Sequence, residues 1–172
     1  EPTRELAAQV EDSFKRYGVN HKLTVALLIG GVSFGEQDRK IDRGADVVIA
    51  TPGRLLDHFE RGKLLLQGVE IVVIDEADRM LDMGFIPDVE RIFKILPVTR
   101  QTLFFSATMP NEIQSLVTRF MPKAERVEVS PPTSAAETVT QWLVSAGTSA
   151  AEKRAVLRDE IKRAENLKNA II

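Results

Sequence analysis

The sequence predicts an α/β protein, a parallel sheet flanked by helices, and three observations carry that prediction. Short apolar runs alternate along the chain with segments of helical periodicity, the pattern of repeated strand-helix units. The run Val69-Glu70-Ile71-Val72-Val73-Ile74 is short, β-branched and nearly unbroken, which predicts a strand buried on both faces of a parallel sheet. Two carboxylates, Asp75 and Glu76, follow it directly, at the strand end where open α/β sheets bind ligands.

The elements follow in order. Leu6, Val10 and Phe14 at helical spacing predict a helix from Thr3 to about Tyr17. Leu23 to Ile29 reads as a strand ending in Gly30-Gly31. Ser33 and Glu36 are spaced as a capping box, which opens a short helix to about Asp42. Asp46 to Ala50 is a strand. Thr51 suits a helix N-cap and Pro52 the first helical position, so a helix runs to about Arg61. After the strand at Val69–Ile74, a helix from about Ile86 to Leu96 carries Val89, Ile92, Phe93 and Leu96 on one side. Thr102 to Phe105 is a strand, Pro110 starts a helix to about Met121, and Arg126 to Val129 is a last short strand.

Ser130-Pro131-Pro132-Thr133-Ser134 is the only linker-like stretch, so residues 1–129 form one domain and 130–137 a linker. Residues 138–172 follow with a strand at Val139–Val144, a helix from the Ser149/Glu152 capping box to about Glu165, and a strand at Asn169–Ile172. About forty residues are too few for an independent domain of ordinary size. Internal repeats and low-complexity segments are absent.

Composition narrows the function classes. Apolar residues at 44% and charged residues at 28% are ordinary for a globular protein. No apolar run approaches the roughly 20 residues that span a bilayer, and Glu1 opens straight into a motif without a signal peptide. Zero cysteines exclude a disulfide framework and a zinc-thiolate site and are compatible with a cytoplasmic setting. A net charge of −2 gives no global basic field, so any nucleic-acid binding must come from local placement of donors.

The residues themselves offer several chemistries. Buried acid at Asp75-Glu76 calls for a cation, and a phosphate-bound Mg²⁺ takes one or two carboxylates; the plainer reading is an acidic first helical turn. Thr51-Pro52-Gly53-Arg54 stands at a helix N-terminus whose free N–H groups and dipole favour a phosphate, though capped helices are common. Gly31-Val32-Ser33-Phe34-Gly35 satisfies the nucleophile-elbow pattern of α/β-hydrolases, but His58 is the only downstream histidine and lies close by. The capping role of Ser33 accounts for it without catalysis. His21 and His58 read as surface histidines.

Taken together, Pro2-Thr3-Arg4-Glu5-Leu6-Ala7, Thr51-Pro52-Gly53-Arg54, Asp75-Glu76-Ala77-Asp78 and Ser106-Ala107-Thr108, in this order, resemble the DEAD-box family of ATP-dependent RNA helicases (superfamily 2, bacterial type). The resemblance runs from Pro2 to about Val129 and implies a RecA-like first domain, with the opening of a second RecA-like domain after the linker. It implies ATP and Mg²⁺, with Asp75 and Glu76 near the metal largely through water and Glu76 orienting the attacking water. Asp78 would look toward Ser106 and Thr108 and tie nucleotide state to strand separation. RNA would be gripped through its backbone by Pro2, Thr3, Arg4, Gly30, Gly31, Thr51, Pro52, Gly53 and Arg54. No G-x-x-x-x-G-K-[ST] loop is present: Gly62-Lys63 is followed by Leu64, and Asp57 stands where the first glycine belongs. The resemblance therefore implies a piece of a longer helicase, lacking the phosphate loop and the arginine fingers and inactive alone. A non-enzymatic RNA-binding module is the alternative.

Overall fold

The computed structural model describes residues 1–129, 140, 142–164 and 167–170, and the chain divides into two units, Glu1–Pro132 and Thr133–Ile172. In the first unit, α1 (Arg4–Tyr17) precedes β1 (Val25–Leu28), α2 (Phe34–Asp42), β2 (Val47–Ala50) and α3 (Pro52–Glu60). Then come β3 (Ile71–Ile74), α4 (Ala77–Asp82), α5 (Ile86–Ile95), β4 (Gln101–Phe104) and α6 (Asn111–Phe120).

All pairing is parallel, as a strand-helix alternation requires. It is divided between two two-stranded sheets, β1 with β2 and β3 with β4, where one continuous sheet was expected. Val25 stands opposite Val47, and Ile71 opposite Gln101. Each strand therefore has one hydrogen-bonded neighbour, and this corrects the reading of β3 as buried on both faces. Ile74 is buried, but Ile71 and Val73 are 60% and 51% exposed. Alternate residues of a strand point to opposite faces, and only one face of β3 is covered among the described residues.

Two apolar clusters hold the unit together. Ala26 and Leu28 of β1 pack with Leu56 of α3, Leu64, Leu66, Ile92 of α5 and Leu96. Ile74 of β3 packs with Ala77 and Met80 of α4, Val89 and Phe93 of α5, and Ile113 and Leu116 of α6. Helix α5 serves both clusters, because Val89, Ile92, Phe93 and Leu96 share one stripe. In α1, by contrast, the predicted face is half-buried or exposed and Ala7 is the buried residue.

Caps differ from the expectation in an instructive way. Thr3 accepts the Leu6 N–H at 3.2 Å and caps α1. Ser33 and Thr51 occupy the N-cap positions of α2 and α3, but neither side chain makes a cap hydrogen bond, so the Ser33/Glu36 box does not form. Pro52 does take the first turn of α3. Residues 126–129 form no strand.

In the second unit, α7 (Ala150–Arg163) opens with a complete capping box, Ser149 Oγ accepting from Glu152 N and Glu152 Oε2 from Ser149 N. The strands expected at 139–144 and 169–172 do not appear at 140, 142–144 or 169–170; residues 139, 141, 171 and 172, and the linker from 130 to 137, lie outside the described residues. No helix among the described residues is long and apolar enough to cross a membrane.

Candidate functional site

Most candidate residues stand just past the carboxyl ends of the four strands, while Pro2, Thr3 and Arg4 open α1. Asp75 and Glu76 leave β3 together. Glu76 is the only non-glycine residue with positive φ among the described residues, at φ 52° and ψ 48°. This left-handed turn costs an L-residue roughly 1–3 kcal/mol, and such strain collects at functional sites. It is held by the Glu76 N–H donating to Asp75 Oδ1 at 2.9 Å and by Ala77 N donating to Phe105 O at 3.1 Å. Sequence reasoning had no signal for it, because glutamate carries no turn preference of this kind. Helix α4 starts at once, so Asp75 and Glu76 border a cleft of about 200 Å³ with Phe105, Ser106 and Ala107.

Asp78 ties α4 to the segment after β4. Its Oδ2 accepts from both the N–H and the hydroxyl of Thr108, each at 2.9 Å. Its own N–H donates to Ser106 Oγ at 3.1 Å, and Ser106 Oγ donates to Thr108 O at 2.7 Å. Partial burial pushes the Asp78 carboxyl up, but the hydrogen bonds from Thr108 and Arg79 N outweigh it and hold the group below its ordinary value. Asp78 is thus a carboxylate that locks the first turn of α4 to the segment after β4, and displacement of either breaks charge-assisted bonds.

Among the described residues no group of three or more His, Asp or Glu side chains lies close enough to hold a metal ion unaided. Two carboxylates beside an open cleft instead suit a hard cation that keeps its waters and shares phosphate oxygens. Asp75 and Glu76 therefore fit Mg²⁺ delivered with a nucleotide.

A second cleft, about 300 Å³, is lined by Arg4, Glu5, Ala8 and Ile29–Val32. Arg4 Nη1 donates to Gly30 O at 3.3 Å. Gly31 has φ +77°, the left-handed region that favours glycine, and a Cβ there would push the Arg4 guanidinium off Gly30 O; Gly30 faces open space and carries no such demand. Arg54, in the first turn of α3, donates from Nη2 to Val32 O at 3.2 Å. Thr51 and Gly53 are half-buried beside it. Pro2 and Pro52 are buried, so their side chains shape the backbone on which the neighbouring residues stand.

His58 corrects a second expectation. It is fully buried, not a surface residue, whereas His21 is exposed. Its Nε2 lies 3.0 Å from Gln37 Oε1, and Gln37 Nε2 donates to Ile29 O at 2.9 Å. Nδ1 is 3.1 Å from Asp38 Oδ1, close but off the line of a hydrogen bond. Burial pushes the imidazole down; Asp38 opposes this, while Arg54 and Arg61 reinforce it. With both ring nitrogens facing Gln37 and Asp38, no Ser33–His58 pair assembles and the hydrolase reading fails.

The DEAD/DEAH box helicase family model matches residues 1–116. The chain is 44% identical over 142 residues to the RNA helicase CrhR of Synechocystis, covering 83% of the chain and 29% of that protein. It is 39% identical over 171 residues to the ATP-dependent RNA helicase DBP2 of Gibberella zeae, covering 99% of the chain and 31% of the relative. The chain thus spans about three tenths of the length of these curated relatives. Among solved structures, a DEAD box protein from the hyperthermophile Methanococcus jannaschii superimposes with a TM-score of 0.69 at 44% identity, over 72% of the chain and 34% of that structure. A hypothetical ATP-dependent RNA helicase from Sulfolobus tokodaii gives 0.70 at 42% identity, over 73% and 38%. A family match over two thirds of the chain, joined to the strand-end carboxylates and the Asp78–Thr108 lock, has one meaning: this chain belongs to the DEAD/DEAH box helicase family.

Proposed function

We propose that a longer protein containing this chain is an ATP-dependent RNA helicase, and that the chain supplies its water-positioning carboxylate, part of its RNA grip and the coupling between them. The observation that carries this reading is the Asp75–Glu76 turn beside Ser106–Ala107, with Asp78 bonded across to Thr108. Asp75 and Glu76 would hold Mg²⁺ through water, and the bound ion would supply charge neutralisation at the phosphate oxygens. Glu76 accepts from and orients the attacking water. Asp78, Ser106 and Thr108 make the nucleotide side sensitive to movement of the loop after β4. Residues 138–172 are the opening of a second RecA-like domain, and the enzyme is cytoplasmic.

The direct test is phosphate release and strand separation by the longer protein, with and without RNA. RNA-stimulated turnover and unwinding of a short duplex support the proposal. RNA binding without turnover favours the non-enzymatic module. The 172-residue chain alone is expected to show no ATPase activity, because it contains no G-x-x-x-x-G-K-[ST] cradle of backbone N–H groups and lysine. RNA-stimulated ATPase from this chain, abolished by Glu76→Gln, would contradict that.

RNA contact falls on Thr3, Arg4, Gly30, Gly31, Thr51, Gly53 and Arg54 and reads the backbone. Arg54 has no carboxylate within ion-pair distance among the described residues, so its charge is uncompensated where a phosphate would approach. Backbone contacts position without reading sequence, so Arg54→Ala should weaken binding equally for unrelated single strands and flatten the salt slope by about one contact. Titrations at several salt concentrations check this; discrimination between equal-length RNAs that disappears in Arg54→Ala would show base readout instead.

A further inference from the structure

Helices α2 and α3 meet through an interface that neither apolar cluster includes. Phe34, Gln37 and Asp38 on α2 face Arg54, His58 and Arg61 at the i, i+4 and i+7 positions of α3 and its C-cap. At its centre is the Phe34 ring. The Arg54 guanidinium carbon lies 3.9 Å from the ring centroid and that of Arg61 4.0 Å. The buried His58 packs edge-on against the same ring at 5.1 Å.

The two guanidiniums differ in what neutralises them. Arg61 Nη2 is 3.7 Å from Asp38 Oδ2. Arg54 has only the Val32 carbonyl, and its Nη1 is out of water with no hydrogen-bond partner among the described residues. An arginine partly dehydrated and without a carboxylate is costly unless something holds it. An aromatic face does so through its quadrupole, and it leaves the charge uncompensated for an incoming anion.

We propose that Phe34 is a positioning residue for RNA binding: its ring, wedged against His58, holds the Arg54 guanidinium in the place where a backbone phosphate arrives. This rests on the reading of Arg54 as a phosphate contact. Ser33-Phe34 therefore belongs to the RNA grip through its aromatic side chain, and not through the serine that the nucleophile-elbow pattern singles out.

The test uses the 172-residue chain and the variants Phe34→Leu, Phe34→Tyr, Arg54→Ala and Phe34→Leu/Arg54→Ala. The first readout is the Arg54 Nε–Hε NMR signal without RNA. It is expected to be ring-current shifted and as rigid as the backbone in the wild type and in Phe34→Tyr, and mobile and unshifted in Phe34→Leu. The second is binding of a fluorescein-labelled oligouridine at low salt. Phe34→Leu is expected to weaken it about two- to fivefold, the usual scale of an exposed cation–π contact. Phe34→Tyr is expected to restore it, and the double variant to match Arg54→Ala. An Arg54 signal unchanged in Phe34→Leu overturns the positioning role whatever the RNA does. Losses that add in the double variant overturn it too, since the ring would then act elsewhere. A signal released in Phe34→Leu while Arg54→Ala binds RNA like the wild type overturns the phosphate reading, and the proposal with it.

Discussion

Glu76→Gln in a longer protein that contains this chain and a phosphate-binding loop is expected to lower kcat for ATP by about 10²–10⁴-fold, the usual scale of a positioned proton acceptor. The KM for ATP and the affinity for RNA should stay close to those of the wild type. The substitution keeps the side chain's size and leaves the bond from residue 76 N to Asp75 Oδ1 intact, so the left-handed turn survives. What disappears is the negative charge and its proton affinity, which matter most in the transition state. The loose contact to Arg79 Nη1 at 3.8 Å is also lost, but an exposed pair of this kind contributes little. Steady-state phosphate release with nucleotide and RNA varied independently checks the split. A normal kcat with only a raised KM for ATP would move Glu76 from the chemistry to ground-state binding.

His58→Ala is expected to cost the first unit about 2–4 kcal/mol, because it opens a buried hole and strands Gln37 Oε1 and Asp38. In a domain of this size that is a fall of about 10 °C in Tm. His58→Gln, which fills more of the space, should recover part of it. The wild type should also lose stability in mild acid. In the folded chain burial holds the imidazole below its ordinary value of 6.5. Above that pH both folded and unfolded histidine are neutral, and the contribution is complete. As pH falls through 6.5 the unfolded chain takes up a proton that the folded chain resists, so stability declines until the folded pKa is passed. Melting curves from neutral pH downward should show this decline in the wild type and a flatter profile in His58→Gln. A wild-type stability that rises on acidification, and no longer does so in His58→Gln, would mean that Asp38 wins over burial and His58 carries a proton in the fold.

His58 also shows where sequence reading stops. His58 follows Leu55 and Leu56 and precedes Phe59, but that setting does not reveal a buried polar partner. His58 is buried because α2, more than a turn's reach away in sequence, brings Gln37 and Asp38 onto it. The same holds for the burial of Pro2 and for β3, whose β-branched run is the same whether one face or both are covered.

What the sequence determined by itself is what depends on near neighbours. The alternation of apolar runs and helical stripes set the parallel α/β class. Pro52 opened α3, Ser149 and Glu152 closed their box across three residues, and the order of four short motifs identified the family. The tertiary structure alone decided the left-handed turn at Glu76, the bonds from Thr108 to Asp78 and the Phe34–Arg54 contact. It also decided which threonine caps a helix, Thr3 and not Thr51. Each of these joins groups, or fixes a backbone conformation, through partners 20 to 30 residues away or through local packing that no residue type announces. Spacing within one turn makes a cap possible, as at Ser149 and Glu152, but does not compel it, as Ser33 and Glu36 show; a contact between strand ends exists only once the sheet has brought them together.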